Sequence, residues 1–161
     1  MIVVALGVLW WQAAQSRRDQ GARQVLRPLT IPLERYQLLA RFEAPTYRPT
    51  AAPLPAYMRH DYDAAIPVLR AAAARKPDSV EPRYYLGICY LLTNERASGV
   101  QELRAVIAAV DTSYLEEARF YLAKGLLGEG DAGGAQRQLE DVLAMHGTLE
   151  KQATALLAQI K

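Results

Sequence analysis

The chain repeats itself at a spacing of 36 residues. The segment Tyr84–Tyr90 consists of Tyr-Tyr-Leu-Gly-Ile-Cys-Tyr, and the segment Phe120–Leu126 consists of Phe-Tyr-Leu-Ala-Lys-Gly-Leu. A second apolar pattern follows each copy at the same offset, so that Leu103 matches Leu139. Similarity at a fixed period of about 20–50 residues is typical of stacked helical repeats, in which each unit buries its apolar face against the next. The repeat therefore predicts an all-α solenoid.

A third copy of the second helix precedes these two. Sliding the sequence back by 34 residues places Gly99 on Ala65 and Leu103 on Leu69. The first helix of this earliest copy would lie between Thr46 and Met58, where three prolines interrupt it. Interior proline costs a helix about 3 kcal/mol, so we expect that helix to be short or absent. The chain should then contain about two and a half helix pairs.

Small residues at matched positions predict close contact between the helices. Gly87 aligns with Ala123, and Gly99 aligns with Ala65 and Ala135. A glycine inside a helix costs about 1 kcal/mol relative to alanine, so its use here indicates that two helix backbones approach closely.

Helix ends are also predicted by residue type. Ser113 and Glu116 form a capping-box pattern, and Asp131 is a favourable N-cap residue. Gly130 and Gly147 can adopt the left-handed conformation that often ends a helix. Residues 148–161 show an amphipathic pattern, which predicts a final helix that caps the array with a polar outer face.

At these positions the chain resembles the tetratricopeptide repeat. In that family the first helix carries an aromatic residue, then Leu-Gly, then Tyr, and the second helix carries Ala, Leu, Ala and a closing Pro, over about 34 residues. The matching residues are Leu86, Gly87 and Tyr90 for the first helix, and Ala65, Leu69, Ala72 and Pro77 for the second. The resemblance covers roughly residues 57–147, although Arg83 and Arg119 replace the family's tryptophan. It implies a protein-binding scaffold.

The resemblance also implies a binding surface, because the first helices of tetratricopeptide arrays line a concave groove. The corresponding residues here, which we expect to face outward and contact a peptide or helix of a protein partner, are Glu81, Tyr84, Ile88, Leu91, Glu117, Phe120, Lys124 and Leu127. An aromatic and aliphatic floor with few charges suits such a ligand. As an alternative, the chain's own proline-rich segment could occupy the groove.

Residues 1–24 do not show the repeat pattern and consist of an apolar run followed by basic residues. Ile2–Trp11 is an uninterrupted apolar run, and four arginines follow it within residues 17–27. The 13 residues 2–14 would span about 20 Å as a helix, against about 30 Å of bilayer hydrocarbon. We interpret the run as a clipped transmembrane helix of a longer chain; a signal peptide or a buried helix is the alternative.

Residues 25–56 contain six prolines and are predicted to be a linker, which leaves residues 57–161 as the repeat domain.

A narrower resemblance concerns the order of these parts. The phrases 61–67, 84–92 and 114–124 resemble the repeat domains of bacterial zinc-finger anti-sigma-like membrane proteins, although the cysteines and histidine of a zinc finger are missing. This resemblance implies an inner-membrane anchor with the repeats in the periplasm. Residues 1–55 carry seven basic and three acidic side chains, and residues 56–161 carry twelve and fourteen. Basic residues beside a span favour a cytoplasmic side instead, so the orientation stays open.

Candidate catalytic and metal-binding residues are few and scattered. Cys89 is the single cysteine and has apolar neighbours, and His60 and His146 have no second ligand at metal spacing. Glu116 and Glu117 are adjacent, so on a helix they point about 100° apart. The sequence therefore predicts a non-catalytic interaction module without metal or cofactor and without affinity for nucleic acid or a small-molecule substrate. A scaffold or assembly factor of a cell-envelope complex is the alternative, and an enzyme is the least favoured one.

Overall fold

The computed structural model describes residues 44–46, 54–109 and 113–160, which all lie within the unit Leu33–Lys161. These residues form helices and turns and contain no strand, so the all-α prediction is confirmed for this part of the chain. None of the helices described is both long enough and apolar enough to cross a membrane. The predicted membrane helix and most of the predicted linker lie outside the described residues.

Helices follow one another closely along the described chain. Their bounds are α1 Pro55–Met58, α2 Tyr62–Arg75, α3 Val80–Leu92, α4 Arg96–Ala108, α5 Leu115–Glu129, α6 Ala132–Ala144 and α7 Glu150–Ile160. Each helix packs mainly on the next one along the chain, and α3 also contacts α5. The pairs are therefore α1–α2, α3–α4 and α5–α6, with α7 as the predicted cap helix. The first helix is short, as the prolines predicted.

The same turn ends the first helix of each pair. The residues His60, Asn94 and Gly130 have φ angles of 62°, 69° and 85°, in the left-handed region. In each case the next amide donates to the carbonyl five residues earlier, with N···O distances of 2.9, 2.7 and 2.8 Å, as in a Schellman motif. The recurrence of this turn shows that α1, although only one turn long, is the first helix of a pair.

Two of the second helices begin with an aspartate cap. The Asp61 carboxylate accepts a hydrogen bond from the Ala64 amide at 3.2 Å, and the Asp131 carboxylate accepts one from the Gly134 amide at 2.7 Å. The cap predicted at Asp131 is therefore confirmed. Glu95 occupies the equivalent position before α4 and makes no such bond.

Close approach of α3 and α4 occurs at the predicted glycines. A Cβ added to Gly99 would lie 3.0 Å from the carbonyl oxygen of Gly87 and 2.7 Å from Cδ2 of Leu91. A Cβ on Gly125 would lie 3.0 Å from the same Leu91 atom, so this leucine fills the space between α4 and α5. Glycine at these positions lets the helices pack without separating.

Arg83 and Arg119 stand where the tetratricopeptide pattern has tryptophan, and each forms a hydrogen bond between the two helices of its pair. Arg83 donates to Glu102 with an Nη1···Oε2 distance of 3.1 Å, and Arg119 donates to Gln138 at 3.1 Å, each across 19 residues. Arg119 also forms an ion pair with Asp141. A charged hydrogen bond therefore connects the helices where the family uses an aromatic ring.

Two predicted helix ends are wrong. Ser113 makes no capping bond, because α5 begins after Tyr114 and the Glu116 carboxylate turns to the start of α7. There Glu116 accepts hydrogen bonds from the amides of Thr148 at 3.1 Å and Leu149 at 2.6 Å. The left-handed residue near the end of α6 is His146, with φ 50°, rather than Gly147. A Cβ on Gly147 would overlap the Glu116 carboxylate, so a larger residue there would require this carboxylate to shift.

Candidate functional site

The first helices of the pairs bring several tyrosines together. Tyr57 of α1 meets Tyr85 of α3 with ring centroids 5.2 Å apart, and Tyr85 meets Tyr84 at 5.0 Å, both edge to face. Tyr84 in turn stacks on Tyr114, which precedes α5, at 4.7 Å. Rings in these arrangements stabilise each other by more than the burial of their apolar area alone provides. We call these four residues the aromatic row; it runs from α1 through α3 to the residue that precedes α5.

The structure places half of the predicted groove residues in the core. Tyr84 is 2% exposed, Phe120 is 8% exposed, and Ile88 and Leu127 are fully buried. The prediction that these four side chains face outward is therefore wrong. The helical pattern assigned them to the groove face, but that face is covered here, in part by ring packing such as that of Tyr84 on Tyr114. Their role in binding a partner stays a prediction.

The other predicted groove residues are partly exposed. Glu81 on α3 and Glu117 and Lys124 on α5 are half-buried, as is Leu91. The side chain of Leu91 lies against Gly99 and Gly125, so its role here is to pack α3 on α4 and α5. The surface that remains at these positions is therefore mainly charged.

On α5 a half-buried stripe runs along one helical face. Glu117, Tyr121 and Lys124 are spaced i, i+4 and i+7, so they project from the same side of the helix. The Tyr121 ring lies 6.3 Å from the Tyr84 ring, which connects the stripe to the aromatic row. We call these three residues the α5 stripe. Sequence reasoning missed Tyr121, although its spacing from Glu117 and Lys124 could have indicated it.

Partial burial shifts the pKa values of two residues of the α5 stripe. Desolvation lowers the pKa of the Lys124 ammonium, which lies 6.0 Å from the centroid of the Phe120 ring. Desolvation, with a smaller contribution from Glu117, raises the pKa of Tyr121 to about 12. At neutral pH the phenol of Tyr121 is protonated, as that of an unperturbed tyrosine is, and its raised pKa keeps it protonated in alkaline solution up to about pH 12. The stripe thus carries a carboxyl, a phenol and an ammonium group on one face of α5.

The candidate catalytic and metal-binding residues of the sequence lie in the core or at helix ends. Cys89 is buried, and burial raises the pKa of its thiol to about 12, so the thiolate needed for nucleophilic attack is suppressed. His60 and His146 occupy left-handed turn positions. Glu116 holds the start of α7. Within residues 44–46, 54–109 and 113–160, no cluster of three or more His, Cys, Asp or Glu side chains could hold a metal ion.

Comparison with known proteins supports the assignment of the first two helix pairs. The family model described as Tetratricopeptide repeat matches residues 56–119, from α1 to the first turn of α5. This match supports a tetratricopeptide-repeat protein, as the residues at the repeat positions predicted. Repeats of this family generally mediate protein–protein interaction and are typically non-catalytic. No curated protein and no solved structure matches the chain significantly.

Proposed function

We propose that this chain is a non-catalytic protein-binding module, tethered to a membrane through residues 1–24, which binds a peptide or helix on the face of its first helices. The observation that carries the proposal is the α5 stripe, where Glu117, Tyr121 and Lys124 share one helical face beside the aromatic row. Tetratricopeptide repeats generally bind proteins, and the match to residues 56–119 supports this class. The apolar run Ile2–Trp11 supports the membrane tether.

The make-up of the stripe favours a peptide over a small molecule. A tyrosine offers a large ring and a hydroxyl at little entropic cost, which is why it is enriched where proteins meet. Lys124 is partly desolvated, so its interaction with a partner's acidic group or carbonyl would be screened less by salt than that of a fully exposed lysine. Acidic and basic groups seven residues apart on one face would fix the direction of a bound segment.

The test uses residues whose loss should spare the fold. Tyr121→Ala and Lys124→Glu alter half-buried side chains, whereas Tyr84→Ala or Phe120→Ala would open a cavity in the core. Wild-type and doubly substituted full chains would be used to capture proteins from a membrane extract. We expect the double variant to lose partners that the wild type retains.

A matched control reverses a charge elsewhere on the array. Arg104→Glu changes an exposed basic residue on α4, a second helix, and should leave capture unchanged. Circular dichroism would verify that all variants are folded. If the folded double variant captures the same partners as the wild type, the α5 stripe is not the binding surface.

The membrane tether has its own test. The full chain should sediment with membranes and resist extraction by high salt, since its apolar run would be buried in hydrocarbon. A chain from which residues 1–24 are removed should become soluble. The repeats would lie in the periplasm of a bacterial envelope, as part of an anti-sigma-type signalling protein or of an envelope scaffold. Protease accessibility in spheroplasts separates this side from the cytoplasmic one, which the arginines after the run would favour.

A further inference from the structure

A short non-helical segment lies against the first helix pair. Ala44 and Pro45 are half-buried, and Thr46 is exposed. The Tyr57 hydroxyl donates a hydrogen bond to the carbonyl oxygen of Pro45, with an O···O distance of 3.2 Å, across 12 residues of sequence. The contact is therefore tertiary: one side of the segment is turned to the protein, and Thr46 is turned to solvent.

Tyr57 forms the end of the aromatic row. Its side chain is only 3% exposed, and its ring meets Tyr85 at 5.2 Å and Tyr62 at 5.5 Å, both edge to face. These ring contacts hold the hydroxyl in place. The hydroxyl is protonated at neutral pH, as in any tyrosine, and burial raises the pKa of Tyr57 well above its usual range, so it remains a donor in alkaline solution as well. A rigid donor at the end of the buried aromatic row thus faces the carbonyl of a proline.

The position of Tyr57 within its pair is significant. It lies three residues before the left-handed turn residue His60, as Leu91 lies before Asn94 and Leu127 before Gly130. The later pairs carry leucine at this position, which cannot donate a hydrogen bond. The hydroxyl is therefore a feature of the first pair, at the end of the array where the segment lies.

Proline-containing segments suit such a surface. They lose little conformational entropy on ordering, and their carbonyls have no internal hydrogen bonds, so grooves lined by aromatic side chains recognise them. A segment linked to its site by about ten residues has an effective concentration on the order of millimolar. A contact too weak to hold a free peptide can therefore hold this one.

We propose that residues 44–46 form a strap, an in-chain ligand bound at the Tyr57 end of the aromatic row, and that a partner peptide entering this end must displace it. The displacement of the strap by a partner peptide rests on the proposed function. The strap would then act as an intramolecular competitor, which lowers the apparent affinity of a partner by the fraction of molecules in which it is bound.

The contact itself is tested on the full chain without any partner. Thr46→Cys would carry a maleimide fluorophore, because Thr46 is exposed while Cys89 is buried and should not react. Tyr57→Phe keeps the ring and removes the hydroxyl. We expect it to lower the fluorescence anisotropy of the label, because the segment that carries the label would no longer be held by the hydrogen bond to Tyr57. Tyr62→Phe is the matched control, since the Tyr62 hydroxyl is hydrogen-bonded to His60 at 2.7 Å, and it should change nothing. If the anisotropy of the folded Tyr57→Phe variant is unchanged, the proposal that residues 44–46 are held at Tyr57 is refuted.

Competition is tested with a free peptide of the sequence Glu-Ala-Pro-Thr-Tyr-Arg, that of residues 43–48. At concentrations on the order of the millimolar effective concentration, it should lower the anisotropy of the labelled chain. The same peptide with glycine in place of its proline should not. If the two peptides act alike, the strap does not compete for a proline-selective site. Loss of partner capture by the α5 stripe variants is measured separately, so each proposal can fail without the other.

Discussion

Substitution of Gly99 by alanine should destabilise the helix array, although alanine is the better helix former. Gly99 lies in the first turn of α4 and faces α3. The added methyl group would lie 2.7 Å from Cδ2 of Leu91 and 3.0 Å from the carbonyl oxygen of Gly87, both closer than ordinary van der Waals contact. The leucine has little room to adjust, because it also lies against Gly125, and the carbonyl belongs to the backbone of α3. The two helices must therefore move apart by a few tenths of an ångström.

The magnitude follows from two opposing effects. Replacing glycine by alanine in a helix gains about 1 kcal/mol. Overpacking a tightly packed contact costs about 1–3 kcal/mol, and here it cannot be relieved locally because Leu91 also lies against Gly125. The upper part of that range should apply, so we expect a net loss of about 1–2 kcal/mol in the free energy of unfolding. For a domain of about 100 residues each kcal/mol lowers Tm by about 4–8 °C.

Gly133→Ala provides the matched control. A Cβ at Gly133 would meet its nearest atoms, in Arg137 and Asp131, at 3.7 and 3.9 Å, so there is room for it. This variant should be more stable than the wild type by about 0.5–1 kcal/mol, through helix propensity alone. Urea unfolding followed by far-UV circular dichroism would measure both. If Gly99→Ala is stabilised as much as Gly133→Ala, close packing of α3 on α4 does not require glycine.

Three further changes test other parts of the structure. Glu95→Asp should add the cap that Asp61 and Asp131 provide before the other second helices, and should raise the free energy of unfolding by about 1 kcal/mol in urea titrations; a decrease would show that the turn before α4 cannot accept it. Glu116→Ala should release the start of α7, so hydrogen exchange of the α7 amides should quicken while that of α3 stays slow. Equal acceleration in both helices would contradict this local role. The Cys89 thiol has a pKa raised to about 12 in the folded chain, against 9.0 for the free group. Its contribution to stability is therefore complete below pH 9 and is lost as the pH rises from 9 towards 12, at about 1.4 kcal/mol per pH unit. Cys89→Ala should flatten the alkaline decline in Tm, and an unchanged decline would refute the burial argument.

Several features of the fold follow from local sequence. The 36-residue period predicted the helix pairs, because each repeat is one pair that packs on the next. The prolines predicted a short first helix, because a proline acts on the backbone within a few residues of itself. Asp131 was identifiable as a cap for the same reason. The glycines at positions 87 and 99 indicated close helix contact, since glycine in a helix is otherwise unfavourable.

Tertiary packing decided which side chains form the surface. Helical periodicity assigns Tyr84 and Phe120 to one face of α3 and α5, but it does not show what covers that face, and both are buried in the structure. Glu116 has the spacing of a local cap, yet it binds amides more than 30 residues away, because the fold brings the start of α7 to it. The sequence by itself determined the helices and their pairing through short-range geometry. Which residues remained exposed depended on contacts between helices distant in sequence, because burial is a property of the assembled array rather than of any one helix.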